Sequence, residues 1–427
     1  MMYIEFFEKD AIENVCSCLT KVPEKVIFIG SNRKLMMQHS ARYEEVFARR
    51  GMNISFSWKN VNKNNLHNII DVLSSVVEEN DDCIFDLTGG DELYLTAVGV
   101  VFERYKSTGR VKMHRFTIAN STVVDCDLDG STIAGSESDK PKLSVEENIR
   151  IYGGDIVYSN AERENATVKY EVTDELRCDI NRMWNICREN VRLWNTQIYV
   201  IGEAVLCGFT NGLSVSVGIE DLKKVLSSSS AKFVYIHEIM KGLAKYGLLT
   251  SLSNDGTDLS FTFKNEHVKE CLTVAGKVLE MKVFLAACDA VDSDGGKTYN
   301  DAMTGVVLDW DGDTRPAPGD VETENEIDVI MMHDMVPVFV SCKNGWMDSD
   351  ELYKLQSVAE KFGGKYAKKV LVATALDSSE RSDYIRQRAE DMSIRLVEGF
   401  RKGGQYRRFT NMNDEDMNRV VRSFWLN

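Results

Sequence analysis

Two short apolar runs, Lys25–Ile29 (KVIFI) and Cys83–Leu87 (CIFDL), each end on small polar residues and lead into helical patterns. Ile54–Trp58 adds a strand between them. Helices are predicted over Ala41–Arg50, Asn65–Glu79 and about Asp91 to Lys106, with further strands near Arg115–Ala119 and Thr122–Cys126. Strand, crossover and strand at this rhythm predict a mostly parallel, doubly wound sheet covered by helices on both faces. Ligands of such sheets bind beyond the carboxyl ends of the strands. Gly30, Ser31 and Asn32 fall there, and so do Thr88, Gly89, Gly90, Asp91 and Glu92.

The chain has 427 residues, more than one hydrophobic core of about 250–300 residues organises. From Leu128 to Glu147 the sequence lacks periodicity and reads as a linker. Residues 165–272 are helix-rich, with Trp184 and Trp194 on apolar stripes. Tyr235–Tyr246, then LLTSL, Asn254-Asp255-Gly256 and LSFTF, predict a helix followed by a two-stranded hairpin, an order resembling a winged helix. That stretch is not notably basic, and packing or dimerisation fits it better than DNA reading does. A third unit starts near Thr273, with a helix at Gly276–Ala287 and strands near Gly305–Trp310, Glu326–Met331 and Val336–Cys342. A helix at Ser349–Phe362, strand Lys369–Ala373, helix Arg381–Met392 and a last strand follow. The expected division is 1–150, 151–272 and 273–427, α/β at both ends with a helical, winged-helix-like middle.

Hydrophobic residues at 43% and charged ones at 27% match ordinary globular usage and exclude collagen-like and disordered classes. No apolar run reaches the roughly 18 residues of a membrane span, and the acidic start is unlike a signal peptide. A soluble, cytoplasmic protein with no membrane contact is expected. The ten cysteines show no CxxC pairing and read as reduced thiols. Net charge is −15, so any nucleic-acid contact must be local. Glu280 to Asp334 holds 14 acidic against 3 basic residues, whereas Lys354 to Arg408 holds 13 basic against 7 acidic. A divalent-metal site beside a phosphate-binding surface has this pattern, as do two separate solvated faces.

The sharpest motif is Asn325-Glu326-Ile327-Asp328-Val329-Ile330 followed by Pro337-Val338-Phe339-Val340-Ser341-Cys342-Lys343. In extended chain Glu326 and Asp328 share a face, as do Ser341 and Lys343, while Ile327, Val340 and Cys342 point the other way. Carboxylate oxygens suit Mg²⁺ or Mn²⁺, and a nearby lysine can offset charge building on a phosphorane-like transition state. This chemistry is metal-assisted phosphodiester hydrolysis; a solvated hairpin face has the same spacing. Glu280 lies at the edge of the apolar stripe of AGKVLEMKVFLAA, where an exposed helical glutamate would also stand. GxGxxG, GxxxxGK[ST], HExxH and GxSxG are absent from the sequence, and the six histidines are scattered.

Together these segments support a family resemblance. The helix with Glu280, the NEIDVI and SCK strands and ELYKLQSVAEKFGGKYAKKVLV resemble the PD-(D/E)xK, restriction-endonuclease-like nuclease domain. IFIGSN and DLTGGDELYLTAVG look like a CARF domain, the Rossmann-like ligand sensor of type III CRISPR ancillary proteins. Joined in this order they resemble the cyclic-tetra-adenylate-activated CRISPR ancillary nucleases, over most of the chain and least in the middle.

The resemblance implies that Asp328 is the central metal-binding acid, Lys343 the catalytic lysine and Glu280 the acid of the preceding helix. Ser341 stands where the [DE]xK motif has an acid, which removes one carboxylate; Glu326 can substitute, and the carbonyl of Cys342 can ligate a metal. Lys354, Lys361 and Lys365 would face substrate phosphates. Thr88-Gly89-Gly90 and Gly30-Ser31-Asn32 would hold the ribose-phosphate of the cyclic ligand. Asp91 and Glu92 would have to meet adenine edges or 2′-hydroxyls. The expected protein is a homodimer that shares a two-fold ligand and cuts single-stranded RNA or DNA or nicks duplex DNA. The alternative is a ligand-responsive transcription regulator with a degenerate nuclease fold.

Overall fold

The computed structural model describes residues 1–118, 122–126, 140–159, 166–226, 236–313, 324–345, 347–376 and 379–426. Its first sheet uses β1 (Met2–Phe6), α1 (Cys16–Lys21), β2 (Lys25–Gly30), α2 (Arg33–Arg49), β3 (Ser55–Asn60), α3 (Leu66–Glu78), β4 (Cys83–Asp86), α4 (Glu92–Tyr105), β5 (Val111–Thr117) and β6 (Thr122–Cys126). The strand order is β3-β2-β1-β4-β5-β6, parallel except at β6. The doubly wound expectation is borne out. Its central strand, β1, was not anticipated: central parallel strands read as unbroken apolar runs, and Glu5 interrupts this one. Glu5 is buried, and burial together with neighbouring Asp86 holds its carboxyl well above the usual range. The helix expected over Ala41–Arg50, α2, starts at Arg33 because Asn32 caps it, accepting from Leu35 N at 3.1 Å.

The middle contains α5 (Val145–Ile151), β7 (Asp155–Ile156), α6 (Asp174–Cys187), α7 (Val191–Cys207), β8 (Phe209–Asn211), β9 (Ser214–Gly218), α8 (Ile219–Val225), α9 (Ile236–Lys245), β10 (Leu249–Asn254), β11 (Asp258–Phe263) and α10 (Glu266–Thr273). Most of the expected linker lies outside the described residues; its end is the helix α5, opened by a capping box between Ser144 and Glu147. The expected hairpin is half of a four-stranded antiparallel sheet, β10-β11-β9-β8, because Ser214–Gly218 pairs along β11. Trp184 and Trp194 are buried in its core.

The last unit contains α11 (Lys277–Asp289), β12 (Asp301–Asp309), β13 (Glu324–His333), β14 (Val336–Lys343), α12 (Asp350–Gly363), β15 (Lys368–Ala373), α13 (Glu380–Asp391), β16 (Arg395–Val397), β17 (Gly399–Lys402), β18 (Gln405–Arg408) and α14 (Asp414–Arg422). Its sheet runs β16-β15-β14-β13-β12-β7, antiparallel up to β14 and parallel beyond. The edge strand β7 comes from the start of the middle segment, ahead of α6. The expected amphipathic stripe on α11 is corrected: Lys277 to Ala287 are all buried, since the helix is packed by the sheet on one side and by α6, α10 and α14 on others.

One apolar cluster runs without a break from the first sheet (Tyr3, Phe28, Phe47) through α5 (Ile149) into the last (Ile330, Phe339, Leu352, Phe362). Polar contacts follow the same seam. Asp10 accepts from Lys365 N at 2.9 Å and from the Tyr152 hydroxyl, and Glu13 accepts from Tyr366 Oη at 2.7 Å and pairs with Lys365 Nζ at 2.8 Å. No helix among the described residues is long and apolar enough to cross a membrane.

Candidate active site and ligand site

The ladder between β13 and β14 runs from His333↔Val336 to Val329↔Val340 and stops there. At the next position the Asp328 side chain takes over: its Oδ2 accepts from Cys342 N at 2.5 Å and from Ser341 Oγ at 3.2 Å. Replacing a ladder bond by a carboxylate parts the strands and fixes the carboxyl between them. This accounts for one departure from simple alternation. Val340 and Cys342 pack on the α11 side, whereas Ile327 packs in the cluster on the opposite face. Burial pushes the Asp328 carboxyl above its ordinary value, against the pull of Lys343 and the two donors.

Glu280 comes to this end of the sheet from α11. The alternative of an ordinary exposed helical glutamate does not hold: Glu280 is 7% exposed, and its Oε2 has no hydrogen bond. Lys277, one turn earlier, stands 3.3 Å from that oxygen and 3.3 Å from Glu270 Oε1, at ion-pair distance from both. Burial and the charge of Asp328 push Glu280 up to about 8 despite Lys277. Burial lowers Lys277, but Glu280 and Glu270 outweigh it and hold the ammonium above its ordinary value. Gly305, between the pairs Thr304↔Val329 and Val306↔Ile327, makes room for this lysine. Its φ is +57°, and a Cβ there would lie 2.6 Å from Lys277 Nζ and 4.0 Å from Glu326 Oε1. Glu326 is exposed on this side and adds to the raised pKa of Glu280.

Lys343, at the end of β14, pairs with Glu351 Oε2 at 2.8 Å; Glu351 Oε1 is 3.3 Å from Lys354. Burial lowers Lys343, but Asp328 and Glu351 more than compensate and keep it cationic. Asp328, Ser341, Cys342, Lys343 and Glu280 therefore gather at one place. Sequence reading missed Lys277 and Glu351. Their signals were the position three residues before Glu280 and the first turn of the helix after SCK. Of the basic residues expected along the substrate, Lys354 pairs with Glu351, while Lys365 and Lys361 lie on the seam with the first unit, at Glu13 and beside the Trp310 and Phe362 rings.

Among the described residues no group of three or more His, Cys, Asp or Glu side chains is set to hold a metal by itself. The donor chemistry still fits a hard cation. The buried Glu280 and the half-buried Asp328 lie within electrostatic reach of one another, Glu280 Oε2 has only the ion pair to Lys277, and Mg²⁺ or Mn²⁺ is commonly held by one or two carboxylates with water and substrate phosphate completing the shell.

At the first sheet, Gly30 ends β2 and Thr88–Gly90 follows β4, so the loops flank β1 and do not touch directly. Thr88 N and Oγ1 donate to buried Asp86 Oδ1 at 2.8 and 2.5 Å. Asp91 caps α4, accepting from Leu93 N and Tyr94 N at 3.2 Å, and Glu92 is exposed in the first turn. Ser31 is exposed, and the Asn32 side chain is occupied by the α2 cap. The chain leaving β1 passes between the loops: a Cβ on Gly30 would meet Phe7 Cβ at 3.3 Å, and one on Gly89 would meet Glu8 Cγ at 2.7 Å. Glu8 Oε1 accepts from Gly90 N at 2.7 Å, the donor expected to face a ligand phosphate. Burial raises the Glu8 carboxyl against that bond. A cleft of about 1370 Å³ opens beside Glu8 toward Lys365, Lys368 and Arg395.

A family model described as Card1-like, endonuclease domain, matches residues 274–409. Two solved structures share the fold over nearly the whole chain. Protein VC1899 from Vibrio cholerae superposes with a TM-score of 0.68 at 16% identity, covering 99% of this chain and 97% of that one. Can2 from Sulfobacillus thermosulfidooxidans, solved in complex with cyclic tetra-adenylate, superposes at 0.63 and 13% identity, covering 100% and 97%. At such identities the likeness shows the fold. No curated protein matches the chain. The nuclease domain anticipated from the C-terminal motifs is thus borne out, as is the α/β architecture at both ends.

Proposed function

We propose that this chain, with a Card1-like endonuclease domain on residues 274–409, is a metal-dependent nuclease gated by a cyclic oligoadenylate and acting in type III CRISPR defence. The observation that carries the reading is the parting of β13 from β14 at Asp328, with Glu280 and Lys343 brought to the same opening. Substrate is single-stranded RNA or DNA.

Asp328 and Glu280 would hold the divalent cation, Mn²⁺ or Mg²⁺, which supplies Lewis-acid polarisation of the scissile phosphate and a reactive water. Ser341 Oγ and Cys342 N fix the Asp328 carboxyl. Lys343, held cationic, balances charge on the phosphoryl oxygens as water adds to phosphorus and the P–O bond to the leaving oxygen breaks. Lys277 balances the charge of Glu280 from within.

Ligand recognition belongs to the loops after β2 and β4, and the shared fold with a structure solved with cyclic tetra-adenylate supports this. A ligand with two-fold symmetry suits two chains across an isologous contact, so the working form is a homodimer. Gating requires the ligand to favour one arrangement over another. Ligand phosphate at Gly90 must displace Glu8, which continues directly into Asp10 and Glu13 and so to Lys365 and Tyr366 at the end of α12.

The test is cleavage of labelled single strands with Mn²⁺ and cyclic tetra-adenylate by wild type, Asp328→Asn and Lys343→Ala. Both variants should lose cleavage by at least about 10²-fold with ligand affinity intact. Unchanged cleavage in Lys343→Ala defeats this assignment.

A further inference from the structure

The strand position that carries an acid in a [DE]xK site holds Ser341 here, and the structure brings a carboxylate from another element to Lys343, two residues along the same strand. Resting on the nuclease reading above, we propose that Glu351, in the first turn of α12, supplies the carboxylate missing at 341 and is a further metal-holding catalytic residue.

Ser341 cannot serve that role as it stands. It is 5% exposed, and its hydroxyl is spent on Asp328. Glu351 reaches the opening from the helix that follows. Its Oε2 lies 2.8 Å from Nζ of Lys343, which stands two residues beyond Ser341 on β14. The reach is fixed by packing, since Leu352 and Leu355 next along α12 are buried in the core shared with β14. The Glu351 side chain is 24% exposed, against 10% for Glu280, so it is the more open of the two to solvent.

Lys343 at 2.8 Å and Lys354 at 3.3 Å take one Glu351 oxygen each, so both oxygens are held toward cations at the end of β14, and carboxylate oxygens are the donors a hard cation takes. Glu326, the other substitute, stands on the Gly305 side, where a Cβ on that glycine would lie 4.0 Å from its Oε1, and is exposed. A cation on Glu351 competes with Lys343 for it and leaves the ammonium free to face phosphate.

The experiment measures Mn²⁺ affinity by calorimetry, alongside ligand-stimulated cleavage, in wild type, Glu351→Gln, Glu326→Gln, Lys343→Ala and the double variant Ser341→Glu with Glu351→Gln. Thermal melts check folding. Glu351→Gln should weaken Mn²⁺ binding by about 10–100-fold and cleavage by about 10²-fold. Glu326→Gln should change Mn²⁺ affinity less than about threefold, and the double variant should regain it. Wild-type Mn²⁺ affinity in Glu351→Gln, in an enzyme that Lys343→Ala silences, overturns the inference alone and leaves Glu351 as a positioning residue for Lys343. Loss of Mn²⁺ affinity in Glu326→Gln but not in Glu351→Gln overturns it too. A wild type that binds cyclic tetra-adenylate but neither binds Mn²⁺ nor cleaves overturns the nuclease reading with it.

Discussion

Glu280 shows what a single buried acid imposes on this protein. The unfolded chain gives up that proton near the ordinary 4.5, whereas the folded chain holds it until about 8. Between those values folding takes up a proton, so stability contributed at low pH is lost as pH rises through 8. Glu280→Gln removes that loss. In metal-free protein its melting temperature relative to wild type should climb between about pH 5 and 9, and a pH-independent difference would contradict the burial argument. Strand periodicity was enough to place Asp328 with Ser341 and Lys343. It could not place Ile327, because a side chain that replaces a ladder bond is invisible in a two-residue repeat. Lys277 was hidden for another reason: a lysine on an apolar helix reads as solvated until the glycine opposite it, Gly305, is known to leave a hole.

At the level of elements, β1 and the turn after it carry most of what the sequence concealed. The apolar run is broken by Glu5, whose burial beside Asp86 depends on strands distant in the chain. The glycine turns at Gly30 and Gly89 were legible, but the segment between them was not, and Glu8 already occupies the Gly90 N–H. Removing that carboxylate frees a donor and deletes a negative charge near an anionic ligand. Glu8→Ala should therefore bind cyclic tetra-adenylate about tenfold more tightly, near the ~1.5 kcal/mol of a hydrogen bond to a charged group; calorimetry reads it, and weaker binding would contradict the placement of the site. The Asp10 and Glu13 contacts are a separate matter. Asp10→Ala with Glu13→Ala, which cuts the bonds to Tyr152, Lys365 and Tyr366, should leave ligand affinity unchanged and reduce the stimulation of cleavage several-fold. Full stimulation in that variant would exclude this seam as the route.

Across the whole molecule, the first and last sheets share a core, which a chain divided by composition alone cannot reveal. Phe362 sits at that junction, edge-on to Trp310 at 5.3 Å, with its carbonyl accepting from Asn148 Nδ2 at 2.7 Å. Phe362→Ala should cost about 3–5 kcal/mol and lower the melting of both α/β units together; melting of the last unit alone would show them to be independent. Such a shared core gives the loops after β2 and β4 a mechanical path to α12 and the opening at Asp328. The most direct measurement is cleavage of a labelled single strand by the wild-type protein, with and without cyclic tetra-adenylate, in Mn²⁺ and in EDTA. Cleavage should appear with Mn²⁺, rise at least about tenfold with the ligand and vanish in EDTA. Ligand binding without any cleavage, or cleavage indifferent to both ligand and metal, would contradict a gated, metal-dependent nuclease.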